Sequence, residues 1–128
     1  MTLEEKIYSY ISTHAGVAAI QGARFYPVEL PQDVTYPCST YERISTVPWN
    51  DRQNSDNHRC RIQVDCFAES YLAVQQLANA MWTAMLALRS TSSPRITNTQ
   101  MASRRDGGRD EVGVYRVTID FFVTFDQE

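Results

Sequence analysis

Residues 112–125, VGVYRVTIDFFVTF, decide how this chain is read. Every odd position from Tyr115 to Phe125 is apolar: Tyr115, Val117, Ile119, Phe121, Val123 and Phe125. Most even positions are polar: Arg116, Thr118, Asp120 and Thr124. A period of two marks a strand with one face in a core and the other toward water or a partner. The rest of the chain is read as packing around this strand.

Residues 58–68 show the same pattern. Cys60, Ile62, Val64, Cys66 and Ala68 face one way, and Arg61, Gln63, Asp65 and Phe67 the other. If the two strands are antiparallel neighbours, pairing Gln63 with Thr118 sets Arg61 opposite Asp120 and Asp65 opposite Arg116. It also sets Ile62 opposite Ile119 and Val64 opposite Val117. The outer face then carries these two charge pairs together with Phe67 and Phe122. A mixed polar and aromatic face suits a subunit interface. An ordinary solvated face with two stray aromatics fits the same pattern.

Between these strands, residues 69–88 read as a long helix capped by Ser70. Val74, Leu77, Ala78, Met81, Met85 and Leu88 form a stripe wide enough to cover a sheet, and Met81, Trp82 and Met85 read as its continuation into the core. Residues 2–13 read as a second helix. Thr2 and Glu5 have capping-box spacing, and Leu3, Ile7, Tyr10 and Ile11 form its apolar stripe. Gly16 is expected to end it in a left-handed cap. Residues 16–24 read as a connector with a turn at Gly22. Short strands follow at 24–27 and 36–47, and a polar strand at 95–104. Residues 106–110, DGGRD, read as a hairpin loop.

Residues 48–57, PWNDRQNSDN, have no period and read as a polar loop. Trp49 within it has two readings. Its ring folds back onto the domain's own surface, or it anchors a partner, since Trp is enriched at interface hot spots. The expected architecture is a single α+β domain over 1–128. It has a mostly antiparallel sheet of four to five strands with two helices on one face, in the order α-β-β-β-α-β-β.

At 128 residues the chain is long enough to build a core without metal or disulfide staples. Its net charge of -3 argues against a binder that works by neutralising phosphates. Three cysteines, Cys38, Cys60 and Cys66, give an odd count without metal-ligand spacing and read as reduced core side chains. No signal peptide or membrane-length apolar run is present, which predicts a soluble chain made in the cytoplasm. No catalytic motif assembles. There is no P-loop, no GxGxxG, no HExxH and no nucleophile elbow, and His14 and His58 stand apart from any partner. No enzyme activity, cofactor or metal is expected. Arg104, Arg105 and Arg109 form a small basic cluster interrupted by Asp106, Asp110 and Glu111. It reads as a solvated hairpin tip, or as a contact with an acidic surface or DNA.

Several stretches resemble the tail-completion proteins of long-tailed phages. These are Arg24-Phe25-Tyr26-Pro27, Leu30-Pro31-Gln32, and Pro37 with Tyr41 and Ile44-Ser45 after it. RIQVDCFA at 61–68 followed by Tyr71 and the Ala/Leu-rich helix continues the match, as does Gly113-Val114-Tyr115-Arg116 leading to Ile119-Asp120-Phe121. Phe67 stands where many relatives carry Trp, and the 48–57 loop matches no family pattern. The resemblance implies a tail terminator of a phage or prophage, made in the host and carried in the virion tail or neck. Such proteins form a ring, usually a hexamer, that caps the tail tube, ends tube polymerisation and meets the head connector. Its partners would be copies of itself, the tail-tube protein and connector proteins, with no membrane and no sequence-specific nucleic acid. The contact residues expected on this reading are Trp49, Asn50, Arg52, Arg61, Asp65, Phe67, Arg104, Arg109, Arg116 and Phe122. Another neck protein, such as a head-completion or connector adaptor, is the nearest alternative. A small ligand-binding domain is a further one, and it would need a pocket with converging polar groups.

Overall fold

The computed structural model describes residues 1–49 and 57–128. Its elements run α1 (Leu3–Thr13), α2 (Ala15–Gln21), β1 (Phe25–Pro27), β2 (Cys38–Pro48), β3 (His58–Ala68), α3 (Tyr71–Leu86), β4 (Arg95–Arg109) and β5 (Tyr115–Asp126). The five strands form one sheet in the order β1-β2-β3-β5-β4. Only the β1–β2 pair is parallel. This is the expected α+β class, with the strand over 112–125 placed between β3 and β4.

The helices lie on the face to which β3 and β5 turn their apolar side chains. Cys60, Ile62, Val64 and Cys66 meet Val117, Ile119, Phe121 and Val123 there, beneath Leu77, Met81 and Met85 of α3 and Leu3, Ile7 and Ile11 of α1. All of these are fully buried. Each large side chain so buried contributes on the order of 1.5–3 kcal/mol. No described helix is long and apolar enough to cross a membrane.

Local chemistry sets the helix starts. Thr2 accepts from the Glu5 N–H while the Glu5 carboxylate accepts from the Thr2 N–H, the reciprocal capping box anticipated from spacing. Ser70 accepts from the Ala73 N–H at 3.1 Å. Polar side chains then tie the helices down. The Tyr10 hydroxyl donates to the Ala84 carbonyl at 2.7 Å, in the last turn of α3, where that carbonyl also accepts from the Ala87 N–H at 3.2 Å. Lys6 Nζ donates to Ser90 Oγ at 2.6 Å and to Ser92 Oγ at 2.9 Å, fixing α1 to the connection before β4.

Arg43 on β2 holds α1 and the segment after β5 together. Its Nε donates to Glu4 Oε1 at 2.6 Å and its Nη2 to Glu128 Oε2 at 2.5 Å, while Glu128 also accepts from the Leu3 N–H. The hydrogen bond from Arg43 lowers the Glu128 carboxyl pKa despite partial burial.

Several expectations are corrected. The segment read as a connector holds a third helix, α2. Gly16 lies inside that helix and is not the cap of α1. The break is a single residue, His14, with ψ of 122°, after which Ala15–Gln21 resumes helical geometry. Gly22, with φ of 61°, ends α2 in the region that favours glycine. Trp82 is 37 % exposed on the outer side of α3, whereas Met81 and Met85 are buried. The hairpin tip lies beyond Arg109, because β4 continues through Gly107 and Gly108 by way of a bulge.

β3 and β5 are antiparallel neighbours as expected, but the register differs by two residues. Asp65 faces Thr118, Gln63 faces Asp120 and Arg61 faces Phe122. A slip of two leaves every side chain on the same face, so alternation cannot detect it. Large core pairs decide it, with Ile62 against Phe121 and Val64 against Ile119.

Cys38, Cys60 and Cys66 are free and buried. Burial pushes the Cys38 thiol up to about 11 and that of Cys60 to about 12, and it raises Cys66 as well.

Phe121 sits at the centre of the core with no exposed surface. Phe121→Ala should cost about 3–5 kcal/mol, read as a lower midpoint in urea unfolding.

Candidate functional site

No described helix covers the second face of the sheet. Its side chains come from the alternate positions of β3 and β5 and the matching positions of β4. At the centre stands Asp120, on a strand flanked by β3 and β4, with no exposed surface. Arg61 donates to Asp120 Oδ2 at 2.5 Å, and Arg105 and Ser103 Oγ each donate to it at 3.1 Å. Burial alone would raise this carboxyl, but the three donors outweigh it and hold Asp120 below the ordinary aspartate value. Its Oδ1 has no partner among the described residues. Asp65 takes the next position along. It pairs with Arg116 at 3.3 Å and accepts from the Thr118 hydroxyl. Both predicted charge pairs therefore form, along the diagonals of the true register.

At one end of this face, an arginine is held between two rings. The Arg59 guanidinium lies 4.5 Å from the Trp49 ring centroid and 4.0 Å from that of Phe122. Such contacts are worth about 0.5–1 kcal/mol each at exposed sites. Trp49 still leaves half its surface exposed. Its N–H donates to the Asn57 carbonyl at 2.8 Å, which extends the β2–β3 ladder by one step. The ring thus folds back onto its own surface and also presents an open side.

At the other end, Phe67, Arg109, Arg116 and the Gly107–Gly108 backbone line a cleft of about 170 Å³. Phe67 is half-buried, and Arg109 reaches toward the Tyr115 ring at 5.9 Å.

The expected contact residues thus fall into groups. Trp49, Arg61, Asp65, Phe67, Arg116 and Phe122 share the uncovered face or its rim. Arg104 does not join them. It faces the helix layer, donating to Asn79 Oδ1 and Gln75 Oε1 at 2.7 Å each. Its neighbour Arg105 faces the opposite way, so the arginine cluster seen in the sequence is split between two faces. Arg109 stands at the hairpin end. Asn50 and Arg52 lie outside the described residues. Arg59 belongs to the site without having been singled out, and Arg105 belongs to it although the sequence points to it only as part of the hairpin-tip basic cluster. Each sits in an alternating strand, and its role depends on a cross-strand partner that spacing along one strand does not reveal.

Nothing here converges for chemistry. An open cleft of about 450 Å³ is lined by Thr46, His58, Phe125, Gln127 and Glu128, whose carboxylate is already engaged by Arg43. Among the described residues no three metal-ligating side chains cluster.

The protein family described as Tail completion protein gp17 matches residues 5–126. The chain belongs to this family. A tail completion protein is a structural component of a phage-like virion and not an enzyme. No curated protein matches the chain. Among solved structures, a chain described as "Virion of native gene transfer agent (GTA) particle" is similar in fold, with a TM-score of 0.81 at 12 % sequence identity. The match covers 97 % of this chain and 94 % of that one.

The linkage at Asp120 has a defined sign. A carboxyl lowered in the folded state adds stability above its ordinary value of 3.8, and that stability is lost as the pH falls through the folded value. Asp120→Asn should therefore flatten the acid limb of the stability–pH curve, followed by urea unfolding between about pH 5 and about pH 2. At neutral pH the same variant should be less stable by about 1–3 kcal/mol.

Proposed function

We propose that this tail completion protein is a tail terminator. Copies close into a ring, a hexamer on this reading, that caps the tail tube, ends its polymerisation and joins the tail to the head connector. The ring belongs to the virion tail or neck, and its partners are further copies, the tube protein and connector proteins.

One observation carries the reading. Pro48, His58, Phe125 and Ile96 lie in one row across the sheet, and Cys38, Phe67, Arg116 and Gly108 lie in a row near the opposite end. The 48–57 connection leaves from the first row and the 110–114 hairpin from beside the second. At about 3.4 Å per residue, the run of β3 from His58 to Phe67 holds these rows roughly 31 Å apart. Copies related by a ring axis running along the strands would present two unlike rims. One would carry Trp49 with Asn50 and Arg52, the other Arg109. A cap needs this asymmetry, since one side meets tube and the other connector. The uncovered face, with Arg61, Asp65, Phe67, Arg116 and Phe122, offers a polar and aromatic contact surface of the kind found at interfaces.

Trp49→Ala tests the rim. The ring is half-exposed and outside the core, so thermal stability should change little. Joining of heads to tails should fall, seen as free heads and free tails by electron microscopy and as a reduced yield of infectious particles. Normal joining by a folded variant would remove Trp49 from the contact.

A further inference from the structure

The two edges of the sheet differ in a way that bears on how copies meet. β1 pairs with β2 only through Ser39–Tyr41, and Val28 adds one bond to the Tyr41 carbonyl. Beyond this point the outer edge of β2, residues 42–48, has no neighbouring strand among the described residues, and Ile44 and Val47 are each nearly half-exposed. Glu42 opens this free edge. Glu29 follows Val28 beside it, and Asp33 lies in the loop that returns to β2. All three carboxylates are exposed, and no ion pair among the described residues uses them.

The β4 edge is the opposite. Arg104 is bonded only to side-chain amides, and Arg109 only approaches the Tyr115 ring. Arg89, beside the start of β4, donates to the Leu86 and Leu88 carbonyls and to Asn98. None of the three has a carboxylate partner among the described residues. Three strand spacings from β2 and four from β1, about 14–19 Å, separate the two edges. Glu29, Asp33 and Glu42 are thus held apart from these arginines within one chain, while Asp106, beside Arg104, is engaged by Tyr71 and Gln75.

We infer that copies join edge to edge, the carboxylate edge of one (Glu29, Asp33, Glu42) against the arginine edge of the next (Arg89, Arg104, Arg109). The inference rests on the ring reading above and names the surfaces that close it. Such a contact is heterologous: each copy uses one edge to give and the other to receive, and rotation about an axis closes the set. β4 is interrupted by bulges between Ile96 and Asn98, Met101 and Ser103, and Asp106 and Gly108. These keep its edge from extending a long backbone ladder. Side-chain charge therefore directs the contact, and the uncovered face stays free for a partner other than a neighbouring copy.

Charge reversal tests this. One variant carries Glu29→Arg and Glu42→Arg, a second Arg89→Glu and Arg109→Glu, and a third all four changes. Native mass is measured across a range of concentrations, alone and with tail-tube protein from the same genome. The unaltered chain should form a closed oligomer in at least one condition. Each single-edge variant should need about tenfold or more higher concentration to assemble, since like charges then face each other. The third variant should recover assembly, because the four reversed side chains again meet unlike charges. If reversing either edge leaves assembly unchanged, or the fourfold variant fails to recover while remaining folded by circular dichroism, the edge pairing is wrong and the ring reading stands. If the unaltered chain stays monomeric in both conditions, both fall.

Discussion

All the described helices lie on one side of the sheet, and that one-sidedness constrains everything else. β5 lies between two strands, with apolar side chains beneath α3 and polar ones on a face that no other described element covers. A central strand with an uncovered face must still satisfy its polar groups. Asp120 does this at Oδ2 alone, drawing in Arg61, Arg105 and Ser103 from both neighbours, while Oδ1 has no partner among the described residues and the carboxylate has no exposed surface. The arginines that surround it stay half-exposed. The result is a face that is stable in water and rich in donors, without a catalytic pocket.

The legible parts of the fold were those that depend on local spacing. The alternation in β3 and β5, the Thr2–Glu5 capping box and the Ser70 cap follow from positions two, three or four residues apart. What was misread depends on more distant facts. The β3–β5 register is one, because long arginine side chains reach their carboxylates diagonally as well as directly. Charge complementarity was therefore a true signal of pairing and a poor ruler of alignment. α2 was missed because Gly16 reads as a stop signal, whereas the chain bends at His14 and Ala-rich sequence then restores the helix. Gly107 and Gly108 read as a turn, but at a bulge they let β4 run on, with Gly108 at φ of 81°.

Of the candidate site, the face was legible and the arrangement on it was not. Arg61, Asp65, Phe67, Arg116 and Phe122 follow from parity alone. Arg59 takes its meaning from Trp49 and Phe122, which come from different parts of the chain. Arg104 and Arg105, adjacent in sequence, serve opposite sides of the sheet, so a basic cluster along the chain is no cluster in space. The fold shared with the gene transfer agent chain at 12 % identity makes the same point from the other direction. Patterning and topology persist where individual residues do not.

The buried thiols carry one last consequence. A cysteine is oxidised through its thiolate, and Cys38, Cys60 and Cys66 are held in the neutral form by burial. This chain carries its thiols where sulfenic acid and stray disulfides have little chance to form. Resistance to thiol oxidation is thus built into the same apolar layer that holds the helices on the sheet.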